Sequence, residues 1–244
     1  MTDFHSPTDV HTPRPDSFWQ SELNESQWAA VCECERPLLV IAGAGSGKTR
    51  VLTYKIAYLL ERGYAPWEVL ALTFTNKAAK EMNERISSIV GPGRARGLWS
   101  GTFHSIFARI LRAESSNIGF DSNFTIYDSA DSRSLIKSIV KELKLDDKTY
   151  KPSKVQGRIS DAKNRLMLPQ EYAADPHFTS RDARDNMPDL HRIYTEYFRR
   201  CRTARAMDFD DLLLNVYKLF CEHKEILEKY QNLYKYIHVD EYQD

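Results

Sequence analysis

The stretch Ala42-Gly43-Ala44-Gly45-Ser46-Gly47-Lys48-Thr49 decides the fold of this 244-residue chain. It fits the phosphate-loop pattern G-x-x-x-x-G-K-[ST], except that alanine replaces the first glycine. Small residues let the backbone curl around an anion, and the following helix adds its positive N-terminal end. Lys48 is therefore expected to neutralise the β- and γ-phosphates of a nucleotide, and Thr49 to supply a hydroxyl to Mg²⁺. The alternative interpretation is a glycine-rich turn without a ligand.

The segments around this loop predict an α/β fold. The apolar run Pro37–Ile41, bounded by proline and glycine, is typical of a strand buried on both faces. A helix follows over Lys48–Glu61, and further strands are predicted at Val69–Phe74 and Leu98–Thr102, each followed by a helix. This alternation indicates βαβ units and a parallel sheet. The last strand is predicted at Tyr236–Val239.

The middle of the chain predicts a helical insertion into this sheet. After Ala113 the pattern changes to helices joined by polar loops. The predicted organisation is a flexible arm over residues 1–21, which are polar and contain three prolines, a core over 22–112 and 207–244, and an insertion over 113–206. The fold class is thus a P-loop NTPase with a parallel sheet core and a mostly helical inserted subdomain.

Composition excludes several classes of protein. The chain has 34 Lys+Arg, 34 Asp+Glu and 42% apolar residues, which is not the composition of a collagen-like or disordered protein. Its apolar runs are too short to span a membrane, and no secretory signal follows Met1. The four cysteines show no zinc or disulfide spacing, which indicates reduced thiols and a cytoplasmic protein. The neutral total conceals a split: residues 206–244 hold nine acids and four lysines, −5, so the preceding residues carry +5.

An acidic pair follows the last predicted strand. A P-loop enzyme needs one carboxylate for the Mg²⁺ shell and a second group to act on the attacking water. Asp240 and Glu241 provide both, 192 residues after Lys48 (240 − 48), and the insertion accounts for that interval. On its own, such a pair is usually the start of a solvated loop. Together with the phosphate loop, it favours a nucleotide hydrolysis site.

Six segments, in this order and spacing, resemble the superfamily 1 DNA helicases of the UvrD/PcrA/Rep group. They are LNESQ at 23–27, AGAGSGKTR at 42–50, TFTNKAAKEM at 73–82, GTFHS at 101–105, DFDDLL at 208–213 and VDEYQD at 239–244. The resemblance runs from about Leu23 to Asp244. It implies that the core is a RecA-like domain similar to subdomain 1A of these motors, and that the insertion is similar to subdomain 1B.

The resemblance also implies site residues and cofactors. ATP and Mg²⁺ are the expected cofactors, with Lys48, Asp240 and Glu241 catalytic and with Thr49 and Asp240 at the metal. Gln27 matches a glutamine that reads adenine, although a surface helical glutamine is its ordinary interpretation. The expected ATP-binding residues are Gln27, Ala42, Gly43, Ala44, Gly45, Ser46, Gly47, Lys48, Thr49 and Arg50.

Single-stranded DNA is the partner that the resemblance implies. The expected contacts are Phe74, Thr75, Asn76, Thr102 and His104. Without the resemblance, Phe74 would be interpreted as core and His104 as a structural hydrogen-bonding residue. The basic segments Lys151–Arg165 and Arg199–Arg205 fall in the insertion and become candidate phosphate contacts, whose binding would weaken with salt.

The implied activity is ATP-dependent 3′-to-5′ helicase action, with translocation on single strands and unwinding at single-strand/duplex junctions. Relatives continue through a second motor domain with arginine fingers, whereas this chain ends at Asp244, within motif II. The chain alone is therefore expected to bind ATP weakly and to unwind nothing. Two alternatives stay open, namely the helicase part of a helicase–nuclease and a non-catalytic remnant that binds DNA or nucleotide.

Overall fold

The computed structural model describes residues 13–43 and 45–243, which form thirteen α-helices and five β-strands. The strands are β1 (Val69–Thr73), β2 (Trp99–Thr102), β3 (Thr125–Tyr127), β4 (Ala206–Asp208) and β5 (Tyr236–Val239). The helices are α1 (Asp16–Glu22), α2 (Glu25–Cys32), α3 (Lys48–Glu61), α4 (Asn76–Val90), α5 (Pro92–Ala95), α6 (Phe103–Ala113), α7 (Ser129–Glu142), α8 (Pro152–Asn164), α9 (Pro169–Ala174), α10 (Pro176–Arg184), α11 (Leu190–Thr203), α12 (Phe209–Glu222) and α13 (Lys224–Leu233).

The chain divides into two compact units. The first contains the described residues up to Thr102 and from Tyr230 onward, and the second is Phe103–Lys229. The first unit is therefore assembled from two distant parts of the chain. The predicted limits of the insertion, 113 and 206, leave α6 and α12 with the core, whereas the compact units place both helices in the second unit. The division at 113 and 206 stays a prediction.

A three-stranded parallel sheet organises the first unit, in the order β2–β1–β5. Leu70 pairs with Trp99 on one side of β1 and with Ile237 on the other. All five residues of β1 are buried, and four of them are apolar, as is typical of a central strand of a parallel sheet. The helices α3 and α4 share a core with β1 through Ile56, Met82 and other side chains. The predicted α/β fold class is confirmed.

The strand predicted at Pro37–Ile41 is wrong. The segment has no strand hydrogen bonding, and Leu38, Leu39 and Ile41 are 47%, 64% and 88% exposed. A strand needs a neighbour to satisfy its backbone groups. Both edges of β1 are already occupied by β2 and β5, and no described strand pairs with the run. The apolar composition of Pro37–Ile41 is therefore not enough to make it a strand.

The predicted flexible arm also needs correction. Residues 1–12 lie outside the described residues, but α1 forms within the stretch that was expected to be flexible through Ser21. Trp19 is 1% exposed and packs edge-to-face against Tyr58 with ring centroids 5.7 Å apart. The aromatic pair Phe18-Trp19 buries enough apolar surface to order this segment against α3.

The second unit is mostly helical, with one small parallel sheet in which β3 pairs with β4. Its core contains the fully buried rings of Tyr172, Tyr194 and Tyr197. Asp208 caps α12 by accepting a hydrogen bond from the backbone N–H of Asp211. This contact explains the start of α12 by the capping preference of aspartate.

None of the described helices is long and apolar enough to cross a membrane.

Candidate nucleotide site and nucleic-acid contacts

Two glycines shape the phosphate loop. Gly45 and Gly47 have φ angles of 76° and 88°, which L side chains rarely adopt. Gly47 is the residue that caps α3, so the left-handed turn ends where the helix begins. The free N–H groups of the first helical turn and the positive end of the helix dipole therefore face the loop. Ala44, one of the predicted ATP-binding residues, lies outside the described residues.

The side chains of the loop fold back on its own backbone. Lys48 Nζ donates to the carbonyl oxygens of Ala42 and Gly43, at 2.9 and 3.2 Å. Ser46 Oγ donates to the Gly43 carbonyl at 2.7 Å. These contacts hold the Lys48 ammonium against the backbone of the loop. Thr49 occupies the first turn of α3 beside it.

Gln27 contacts the phosphate loop directly. Its Nε2 donates to the Ser46 carbonyl at 3.1 Å, and its Oε1 accepts from the Asn24 backbone N–H at 3.1 Å. Asn24 in turn accepts from the Gln27 backbone N–H, which completes a capping box at the start of α2. The side-chain amide thus joins α2 to the loop, and the predicted ATP-binding residues Gln27 and Gly47 lie side by side.

Arg50 is held away from the loop. Its guanidinium donates to the backbone carbonyl and the carboxylate of Glu22, at 2.6 and 3.1 Å, and lies 4.8 Å from the centre of the Tyr54 ring. These contacts join α3 to the end of α1. These contacts give Arg50 a structural role that does not depend on a nucleotide, so its ATP-binding role stays a prediction.

The acidic pair lies at the carboxyl end of β5, as predicted. The Asp240 backbone N–H donates to the Leu72 carbonyl at 2.8 Å, which continues the pairing with β1. Burial raises the pKa of Asp240 and the Glu241 carboxylate adds to this, while the positive charge of Lys48 opposes it. Glu241 has a φ of 54° and an exposed side chain, so the chain turns sharply immediately after Asp240.

The predicted DNA contacts of the TFTN segment lie together at the end of β1. The Phe74 side chain is 60% exposed, although the preceding strand residues are buried. Thr75 caps α4 by accepting from the Ala78 backbone N–H at 3.1 Å, and Asn76 is the first residue of that helix. An exposed aromatic ring beside a helix N-terminus offers both a stacking surface for a base and N–H groups for a phosphate.

The other two predicted DNA contacts lie on either side of the boundary between the two units. Thr102 ends β2 in the first unit and is 7% exposed, whereas His104 belongs to α6 in the second unit. The His104 ring packs edge-to-face against Phe209, with centroids 5.3 Å apart. Phe209 is 46% exposed and lies within the DFDDLL segment, but it is not among the DNA contacts predicted from the sequence. The sequence feature that could have indicated it is an aromatic residue directly after Asp208, the residue that caps α12.

Most of the basic segments serve the second unit itself. Lys163 is fully buried and bonds the carboxylates of Asp208 and Asp211 at 2.6 and 2.7 Å. Arg200 pairs with Glu142 and Glu196 at 2.5 and 2.6 Å. Further pairs join Arg158 to Asp185, Arg165 to Asp161, Arg199 to Glu196 and Arg205 to Asp121. The charge pattern alone could not distinguish these internal partners from phosphate.

Comparison with known proteins agrees with this arrangement. Residues 23–244 match the UvrD/REP helicase N-terminal domain. The chain is 48% identical over 227 residues to the ATP-dependent DNA helicase PcrA of Bacillus subtilis (strain 168), covering 92% of the chain and 30% of that protein. It is 47% identical over 225 residues to PcrA of Staphylococcus aureus (strain Mu50 / ATCC 700699), with the same coverage, and 44% identical over 225 residues to PcrA of Leuconostoc citreum, covering 91% of the chain and 29% of that protein.

The chain therefore spans about 30% of the length of the curated relatives it matches. The match covers the phosphate loop, the TFTN segment and the acidic pair together. The sheet order and the position of these segments at the carboxyl ends of β1 and β5 agree with it. The chain belongs to the UvrD/REP helicase family, in its N-terminal domain.

Proposed function

We propose that this chain is the ATP-binding part of an ATP-dependent 3′-to-5′ DNA helicase, which couples ATP hydrolysis to movement along single-stranded DNA and to unwinding at single-strand/duplex junctions. One observation carries the proposal. The first unit carries Lys48 in the first turn of the helix after a phosphate loop, and Asp240 directly after a parallel strand of the sheet. The relatives that carry the name ATP-dependent DNA helicase support it.

Each site residue has a chemical task in this proposal. Lys48 exchanges its bonds to the Ala42 and Gly43 carbonyls for phosphate oxygens when ATP enters. The Thr49 hydroxyl and the Asp240 carboxylate are the hard oxygen donors that Mg²⁺ prefers. When bound, Mg²⁺ neutralises charge that develops on the phosphates. Glu241 orients and accepts a proton from the attacking water.

The DNA-binding part of the proposal rests on exposed aromatic side chains. Phe74 in the first unit, and Phe209 beside His104 in the second, present ring surface to solvent. Bases stack on such rings whatever their sequence. A motor that moves along DNA needs contacts of this kind, because contacts specific for a base would stop it at particular sites.

Unwinding belongs, in this proposal, to the longer protein that the relatives represent. Phosphoryl transfer in such motors depends on an arginine finger, which contributes about 10³–10⁵ in rate. We assign nucleotide binding to this chain and expect very slow hydrolysis and no strand separation from it alone.

Binding of a fluorescent ATP analogue with Mg²⁺ tests the nucleotide site. Lys48→Ala removes the charge that faces the phosphates, and a charge-assisted bond of about 1.5–3 kcal/mol corresponds to a loss of about 10- to 100-fold in affinity. Lys137→Ala, which removes an exposed lysine from α7, is the matched control and should bind like the wild type. Equal affinity of both variants, or a wild-type chain that binds no nucleotide, contradicts the proposal.

Fluorescence anisotropy with a single-stranded oligonucleotide tests the DNA surface. Phe74→Ala removes one stacking ring, worth about 1–3 kcal/mol, so affinity should fall about 5- to 100-fold. Tyr217→Ala is the control, since Tyr217 is 51% exposed on α12 and is not among the proposed DNA contacts. If both variants lose affinity equally, or neither does, Phe74 is not a DNA contact.

A further inference from the structure

Three side chains form a row across the carboxyl end of the first-unit sheet. Thr73 of β1 is paired in register with Thr102 of β2. On the other side Leu72 pairs with Val239, and the Asp240 N–H donates to the Leu72 carbonyl, so the next pair is Thr73 with Asp240. Residues paired in register on parallel strands direct their side chains to the same face of the sheet.

The row lies on the sheet face that packs against α3 and α4. Val69 and Ala71 alternate with Leu70 and Leu72 along β1, and both belong to the core that includes Ile56 of α3 and Met82 of α4. Thr73 continues the same alternation, so its side chain is directed to the same face.

The hydroxyl of Thr73 has no partner within the described structure. Thr73 is 1% exposed, and its Oγ1 is buried without a hydrogen bond. A buried hydroxyl without a partner destabilises a fold, whereas valine has the same shape and fits a β-strand equally well. Packing alone therefore gives no reason for a hydroxyl here. A partner that becomes available when the neighbouring site is filled does give one.

We propose that Thr73 is a positioning residue for the metal carboxylate, and that its hydroxyl donates to Asp240 when a divalent metal and nucleotide are bound. The inference rests on the proposed function, because it takes Asp240 as the metal ligand. A carboxylate that binds a metal through one oxygen needs its other oxygen hydrogen-bonded to hold its orientation. Thr73 is the residue of the central strand that is paired with Asp240 and carries a free donor.

The test compares Thr73→Val with Thr73→Ser in the whole 244-residue chain. Mn²⁺ binding in the presence of ATP is followed by electron paramagnetic resonance, ATP binding is measured separately in EDTA, and the melting temperature is recorded without ligands. Thr73→Val should weaken Mn²⁺ binding by about tenfold or more, as loss of a hydrogen bond to a metal ligand does. It should leave metal-free ATP binding unchanged and should raise or preserve the melting temperature. Thr73→Ser should restore Mn²⁺ binding.

Ser100→Ala is the matched control. Ser100 Oγ is also buried without a partner, but Ser100 is opposite Ala71, in the row that does not contain Asp240. This variant should leave Mn²⁺ binding unchanged. Wild-type Mn²⁺ affinity in Thr73→Val, or failure of Thr73→Ser to restore it, overturns the proposal.

Two further variants separate this proposal from the proposed function. Lys48→Ala should weaken ATP binding in EDTA, and Asp240→Asn should weaken Mn²⁺ binding. If both behave in this way while Thr73→Val resembles the wild type, only the role of Thr73 is overturned. If the wild-type chain binds neither ATP nor Mn²⁺, the proposed function and the role of Thr73 are overturned together.

Discussion

Gly47 lies where two constraints on the backbone meet. Its φ of 88° is left-handed, and a Cβ built there would lie 2.7 Å from Gln27 Nε2. The left-handed φ would strain almost any side chain at this position. A Cβ would also displace the Gln27 amide, which donates to the Ser46 carbonyl of the loop. The glycine is therefore required both by the shape of the loop and by its contact with α2.

Gly47→Ala is expected to lose ATP affinity by at least about tenfold. Left-handed alanine costs about 1–2 kcal/mol, and displacing the Gln27 amide forfeits a hydrogen bond worth about 1 kcal/mol. Gly97→Ala is the control, since Gly97 has a φ of 93° but nothing within 4 Å of its Cβ position. It should lower the melting temperature without changing ATP binding. Equal loss of ATP binding in both variants would show that strain alone, and not the contact with Gln27, is responsible.

The sequence predicted the positions of some site residues but not the contacts of others. The phosphate loop leads into α3 and Asp240 follows β5, both as predicted, although the strand expected before the loop is absent from the described residues. The contact of Arg50 with Glu22 and the exposure of Phe209 were not predicted. Both depend on how separate helices pack, and short-range patterns contain no information about that packing.

The start of α12 is fixed by a cluster of buried charges. Lys163 from α8 bonds Asp208 and Asp211, and Tyr197 from α11 donates to Asp208 at 2.8 Å. Burial alone would lower the pKa of Lys163, but the two carboxylates outweigh it and raise that pKa above its ordinary value. The cluster holds two acids and one base. Burial, with the nearby Asp208 charge, raises the pKa of Asp211 to about 6.

This cluster predicts a pH dependence of stability with a definite sign. The ordinary pKa of the Asp211 side chain is 3.8, so between about pH 4 and 6 the folded chain holds a proton that the unfolded chain releases. The folded state then binds more protons, and the contribution of Asp211 to stability falls as pH rises through that window. Urea unfolding of the wild type and Asp211→Asn between pH 4.5 and 7.5 measures this contribution as the difference between the two chains.

The expected result is that the wild type loses stability relative to Asp211→Asn as pH rises. Asparagine retains an oxygen that can accept from the Asp208 N–H, so the capping bond is kept while the charge is removed. A difference that stays constant across the range would show that Asp211 has no raised pKa in the folded chain.

Helices were predicted more accurately than strands. The helix predicted over Lys48–Glu61 is observed with the same bounds, because helix ends are set by neighbouring residues. The short strands β3 and β4 pair across 78 intervening residues, from 128 to 205, and only tertiary structure brings them together. The same dependence on a distant partner explains why Leu38–Ile41 has strand composition but no strand.

The exposed apolar run gives the intact chain a measurable surface property. Leu39 and Ile41 are 64% and 88% exposed, and Ile237 on the edge strand β5 is 60% exposed. Exposed apolar surface binds hydrophobic dyes and promotes association. Replacing Leu39 and Ile41 with lysine should reduce anilinonaphthalene sulfonate fluorescence and aggregation of this chain without lowering its melting temperature.

The same double variant in a chain as long as the relatives should behave differently if further strands cover the run. Burying two lysines without partners is strongly unfavourable, so the longer variant should lose several kcal/mol of stability, on the order of the cost of an unpaired buried charge. Equal tolerance of the lysines in both lengths would show that the run stays at the surface in the longer protein.

The two-part composition of the first unit sets an order of events during synthesis. β1 is complete at Thr73, but β5, its neighbour in the sheet, begins at Tyr236, after the whole of Phe103–Lys229 has been made. β1 and β5 are separated by 162 residues (236 − 73 − 1), and at about 5–20 residues per second the ribosome needs on the order of 8–30 s to make them. During this time one edge of β1 has no partner, while the second unit is free to fold. A nascent chain stalled before Tyr236 should therefore bind a chaperone that recognises exposed apolar strands, and should release it once Val239 has left the exit tunnel.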